Sequence, residues 1–146
     1  MNYAINRSNL FPLIDEEVSR VASETYADDG TPLYDNIIIT ANDKDTITRL
    51  EDDAINALVK RTYDICTLLP ETETDNAELV FYVPGFDTSM EDATSREITR
   101  YIVLNTCAAW FQSRCTGRVE EYTARGQVAQ DKAVTLLKSI KAPSRI

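Results

Sequence analysis

From Ile98 to Phe111 ten residues in fourteen are apolar or aromatic, and on a wheel of 3.6 residues per turn they fall on every side. A helix without a polar face has two homes, a bilayer or the middle of other helices. Fourteen residues rise only about 21 Å, short of the ~30 Å hydrocarbon core. Arg100 and Asn105 interrupt even that length. The stretch, which runs on through YIVLNTCAAWFQSRC at 101–115, therefore predicts a buried central helix. The chain around it must supply neighbours to cover it, and no membrane is expected as a partner.

Those neighbours can be read from periodicity and caps. A first helix over about 9–27 starts at Ser8 or Asn9, tolerates Pro12 in its first turn, and gathers Leu10, Leu13, Ile14, Val18, Val21 and Ala22 on one side. ADDGTP at 27–32 ends it with turn chemistry. NIIIT at 36–40 holds three β-branched residues in a row and predicts a short strand. Asn42 with Asp45 reads as a capping pair for a long helix over 43–68, whose stripe is Ile47, Leu50, Ala54, Leu58, Ile65 and Leu69, widened by Ile55, Val59 and Tyr63. ELVFYVP predicts a strand over 78–84, stopped by Pro84-Gly85. Ser89 with Asp92 then caps the central helix over 89–114.

A last helix, over 118–141, carries Tyr122, Gly126, Ala129, Ala133, Leu136 and Ile140 at steps of 4, 3, 4, 3 and 4, a seam of small residues that admits a bulky partner such as Trp110 or Phe111. Residues 142–146 form a tail after it. The fold class expected is mainly α, a bundle of about four helices with a short β-hairpin or pair of short strands. At 146 residues the chain is one domain by size, large enough for a core without disulfide or metal staples.

The chemistry available is narrow. With no histidine, the commonest general base and metal ligand is missing, and no phosphate-loop, dinucleotide, nucleophile-elbow or zinc-protease motif occurs. The acid pairs Glu16-Glu17, Asp52-Asp53 and Glu120-Glu121 point about 100° apart on their helices and read as solvated faces. Asp28-Asp29-Gly30 is turn chemistry without the alternating ligands of a calcium loop. No catalytic residue, cofactor or metal is expected. Cys107 and Cys115 stand about 12 Å apart along one helix, too far for a disulfide, and Cys107 has no base beside it, which predicts a raised thiol pKa. The N-terminus lacks the apolar run of a secretory leader, so free thiols in a reducing compartment are expected.

A net charge of -9 speaks against a grip on nucleic acid. The charge is uneven, however. Residues 71–97 hold eight acids against Arg96, and residues 118–146 hold six bases against three acids. An acidic middle and a basic end can meet head to tail between identical subunits. FYVPGFD at 81–87 reads as an exposed aromatic hairpin or loop beside the acidic block, suited to contact another subunit.

The order of these elements resembles the head–tail connector, or adaptor, proteins of tailed bacteriophages. The resemblance is carried by DTITRLEDDAINALVKRTYDIC, ELVFYVPGFD, REITRYIVLNTCAAWFQSRC and EEYTARGQVAQDKAVTLLKSI, which together cover residues 45–140. It implies a structural subunit of a ring, dodecameric in the family, that sits under the capsid portal and continues the DNA channel. The implied partners are the portal protein and further neck or tail proteins, with DNA passing through and no sequence-specific binding. The implied location is the virion neck, with assembly in the host cytoplasm. Family members hold the portal with a terminal segment or a loop. Here the corresponding candidates are Phe81, Tyr82, Phe86 and Asp87 in the loop, and Lys138, Lys141, Arg145 and Ile146 in the tail. The alternative from another class is a cytoplasmic helical interaction module acting through its acidic face.

Overall fold

The computed structural model describes residues 1–71 and 76–140. In chain order these form β1 (Asn2–Ile5), α1 (Arg7–Ser23), a single-turn α2 (Tyr34–Ile37), α3 (Lys44–Arg61), β2 (Cys66–Pro70), β3 (Ala77–Phe81), α4 (Glu91–Phe111) and α5 (Val119–Leu137). The arrangement is mainly helical with one small antiparallel sheet of order β1-β3-β2. None of the described helices is long and apolar enough to cross a membrane.

Helix α4 is central, as its all-round apolar character requires. It packs against α5, α3 and α1, and Ile98, Tyr101, Ile102, Leu104, Cys107, Trp110 and Phe111 are all buried. Its polar atoms are satisfied from neighbouring elements: Trp110 Nε1–H donates to the Ile37 carbonyl at 2.7 Å, and the Tyr101 hydroxyl donates to the Ala54 carbonyl at 2.7 Å. In α1 the expected stripe is buried at Leu10, Ile14, Val18, Val21 and Ala22, while Leu13 turns outward. In α5 the seam buries Tyr122, Gly126, Ala129 and Ala133, and Leu137 replaces the expected Leu136 at its end.

The IIIT segment is not a strand over 36–40. Ile37 ends α2 with its side chain fully buried, and its carbonyl receives Trp110. Burial beneath a tryptophan outweighs the β-branched preference. The long helix stops at Arg61 rather than 68: Thr62 turns its hydroxyl back to the Leu58 carbonyl at 2.8 Å, and Cys66–Pro70 leaves to pair with β3. Tyr63 and Leu69, placed on the helical stripe by spacing, are exposed. β3 ends at Phe81, three residues before the expected 84, because Val83 to Phe86 make a turn in which Gly85 holds φ +75°.

Each helix cap lies two residues ahead of its expected position. Asn6 Oδ1 accepts from the Ser8 amide at the start of α1, Thr40 and Asp43 form a reciprocal capping box before α3, and Asp87 Oδ1 accepts from the Ser89 amide before α4. The first helix consequently spans 7–23 in place of 9–27, the central one 91–111 in place of 89–114, and the last 119–137 in place of 118–141. Pro12 falls in the second turn of α1, where it removes the amide that would bond Ser8.

Candidate interaction surfaces

Two of the loop candidates, Phe86 and Asp87, meet the chain just past the end of α5. Past β3, Phe86 pairs with Ile140 in an isolated bridge, and the Asp87 amide donates to the Ser139 carbonyl at 3.1 Å. Asp87 also accepts the Ser89 hydroxyl at 2.7 Å, so its carboxylate is built into the cap of the turn before α4. Lys138 stands exposed at the end of α5 beside this junction. Tyr82 is 75% exposed and is held through its backbone amide, which donates to the Ile65 carbonyl at 2.8 Å. Tyr63, 80% exposed, lies two residues from that carbonyl.

Phe81 does not belong to this surface. Strand alternation sends it inward with Leu79, and both are buried in the core, so its role is packing and not contact with another chain. Lys141, Arg145 and Ile146 lie outside the described residues.

Between α1 and the start of α3 runs a cleft of about 750 Å³, walled by Phe11, Pro12, Ile39 and Ile47. Glu51 lines it, 2% exposed, with Oε2 3.5 Å from Arg7 Nη1, while Arg7 Nη2 pairs with Asp52. Burial pushes the Glu51 carboxyl up to about 7 against the opposing attraction of Arg7. The sequence did carry a signal for Glu51, because it falls on the stripe between Ile47 and Ile55. Attention to the adjacent pair Asp52-Asp53 passes over it. A carboxyl near 7 has the range of a general acid or base, yet its partners here tie β1–α1 to α3, and an ion pair that fixes element positions accounts for them.

A second depression, of about 610 Å³, opens over the N-terminal half of α4 between α1 and α5. Leu13 and Val103 floor it, and Arg96 and Arg100, one helical turn apart, rise from it exposed. Neither arginine joins an ion pair among the described residues. Arg125 at its margin is engaged by Glu121 and lies over the Tyr122 ring at 5.0 Å. The readable sign was two bases spaced i, i+4 at the start of the apolar run of the helix.

The three cysteines are free thiols. Burial pushes Cys107 up to about 12, in line with its apolar setting, and its Sγ–H points to the Ile14 carbonyl at 3.9 Å. Cys115 sits 4.0 Å from the Thr25 hydroxyl. Among the described residues no group of three or more Cys, Asp or Glu side chains is placed to hold a metal ion. Compared with protein-family models, curated proteins and solved structures, the chain finds no match in any of the three.

Proposed function

We propose that this chain is a structural virion protein, a subunit of the connector ring that joins a capsid portal to the neck or tail and continues the DNA channel. The observation that carries the reading is the order of elements: a first helix, a long capped helix, an aromatic hairpin, a wholly apolar central helix and a terminal helix with a small-residue seam. The corner at Phe86 and Ile140 supports it. Loop and tail, the two kinds of segment that hold a portal in the resembled family, are joined there into one continuous surface. A net charge of -9 suits a channel wall along which DNA slides without being gripped.

The test is particle mass by native mass spectrometry and electron microscopy, with the chain alone and mixed with portal protein. A closed ring, alone or formed on the portal, is the expected result. A chain that stays monomeric and ignores portal overturns the reading.

A further inference from the structure

We propose that the open outer face of the sheet in one copy docks into the depression over α4 of the next copy, with Glu78 meeting Arg96 and Arg100. The proposal rests on the ring reading above and specifies the surfaces that make the ring.

The register fixes what the outer face presents. Tyr3, Ile5, Leu79 and Phe81 point inward and are buried, so the alternate residues line the other side. They fall in two rows across the three strands, Ala4–Glu78–Leu69 and Asn2–Val80–Thr67. Ala4, Thr67 and Leu69 are exposed, Leu69 at 49%, so among the described residues this face is left open. Glu78 thus stands in the middle of a small, flat and partly apolar surface. It takes part in no ion pair and no side-chain hydrogen bond among the described residues.

The depression over α4 is its complement. It is concave and flanked by apolar side chains (Leu13, 42% exposed, and Val128, 53% exposed), and the guanidiniums of Arg96 and Arg100 outnumber the one lining carboxylate without an ion pair among the described residues, Glu16. On a chain of net charge -9, most of the surface repels a second copy, and a site with two free guanidiniums is where an unpaired carboxylate is drawn. Pairing like with like fails on the same grounds. Two depressions face to face bring four arginines against only the two Glu16 carboxylates, and two sheets face to face oppose two carboxylates at the centre of the contact.

Unlike surfaces on one chain give a heterologous, head-to-tail contact, and such contacts generate rings when the rotation between copies closes. That is the symmetry a connector needs.

The experiment is native mass spectrometry of the full chain under the conditions in which the unsubstituted protein forms its ring. Three variants are compared with it: Arg96→Glu with Arg100→Glu, Glu78→Lys alone, and all three changes together. Each one-sided reversal is expected to raise the ring's dissociation concentration about tenfold or more, and the combined variant is expected to recover assembly. The substituted side chains make no ion pair or side-chain hydrogen bond among the described residues, so the circular dichroism melt should hold. Arg96→Ala with Arg100→Ala provides a milder version if the reversed pair melts early. A ring that forms unchanged in both one-sided variants overturns this pairing and leaves the ring reading standing. An unsubstituted chain that is monomeric, alone and with portal, overturns the ring reading itself. One-sided reversals that weaken assembly with no recovery in the combined variant also count against the pairing, because they assign the two surfaces to different contacts.

Discussion

Tyr122 of α5 donates its hydroxyl to Glu17 of α1 at 2.7 Å, across 105 positions of sequence, and Arg20 donates to both oxygens at 2.8 Å. The ring of the same tyrosine meets Phe111 edge to face, with centroids 5.1 Å apart. One residue therefore clamps α1, α4 and α5 at the end of the bundle away from the sheet.

Tyr122→Phe keeps the ring contact and removes the hydroxyl. The expected loss is about 1 kcal/mol, since Arg20 still serves the carboxylate and Glu17 is partly open to water. Burial alone would raise the Glu17 carboxyl, but hydrogen bonds from Tyr122 and Arg20 outweigh it and hold it below its ordinary value. A depressed acid stabilises the fold above its unfolded pKa and loses that contribution as the pH falls through the lower folded value. Urea unfolding at pH 7 and at successively lower pH should show the variant weaker at neutral pH, with the gap to the parent narrowing as the pH falls through the lowered folded pKa of Glu17. A gap that persists in acid would assign the loss to packing.

Glu51 has the opposite sign. Its folded carboxyl titrates near 7 and its unfolded one near 4.5, so the folded state holds more protons between those values. The contribution is fully present below the unfolded pKa and is lost as the pH rises through 7. Glu51→Gln should leave stability near pH 5 little changed and raise it at pH 8, by at most about 3 kcal/mol from the size of the shift. The readout is the urea midpoint from pH 5 to pH 8 for both proteins. Parallel profiles would show that Glu51 ionises as an ordinary surface acid.

The capping box before α3 is a third point of leverage. Thr40 and Asp43 exchange hydrogen bonds, with the Thr40 amide donating to Asp43 Oδ2 at 2.8 Å and the Thr40 hydroxyl at 3.0 Å. Thr40→Ala should lower stability by about 1 kcal/mol, and Thr40→Ser should restore most of it. Thermal melts of the two variants decide the matter. Equal melts for Ala and parent would mean that α3 starts without this cap.

Residues that act through nearest neighbours were legible, and those that act across the chain were not. The all-round apolar character of 98–111 located the central helix because no partner identity is needed to see it. The caps were recognised by composition but misplaced by two residues, since Ser8, Asn42 and Ser89 are equally acceptable inside a first turn and only the geometry at Asn6, Thr40 and Asp87 selects the start. β1 is four residues long, and Tyr3 and Ile5 gain their strand partner from Leu79 and Ala77, more than seventy positions away. Ile37 looks like a strand residue until Trp110 is seen to need its carbonyl. The loop and tail segments were named separately, and the Phe86–Ile140 bridge and the Asp87–Ser139 hydrogen bond that join them across more than fifty positions have no local sign. Arg96 and Arg100 were seen only as interruptions of an acidic and an apolar run, because their lack of an ion pair among the described residues is a long-range fact that their i, i+4 spacing does not record.

Gly126 offers a test of the α4–α5 seam that separates tightness from mere burial. A methyl group built there would meet the Asn105 amide nitrogen at 3.5 Å and Leu104 Cβ at 3.6 Å, both ordinary contacts. The residue lies in mid-helix and is buried. Gly126→Ala should therefore stabilise the subunit by about 0.5–1 kcal/mol, through the lower backbone entropy of its unfolded chain. Gly126→Leu adds three further carbons where the helices leave space for one, and it should destabilise by about 1–3 kcal/mol. Ala129→Leu, one turn on and 1% exposed, should behave like Gly126→Leu. Opposite signs for Ala and Leu at 126, measured by chemical denaturation of the isolated subunit, would establish that the seam has room for one methyl and no more. A loss on Gly126→Ala would mean that the helices sit closer than 3.5 Å and cannot give way.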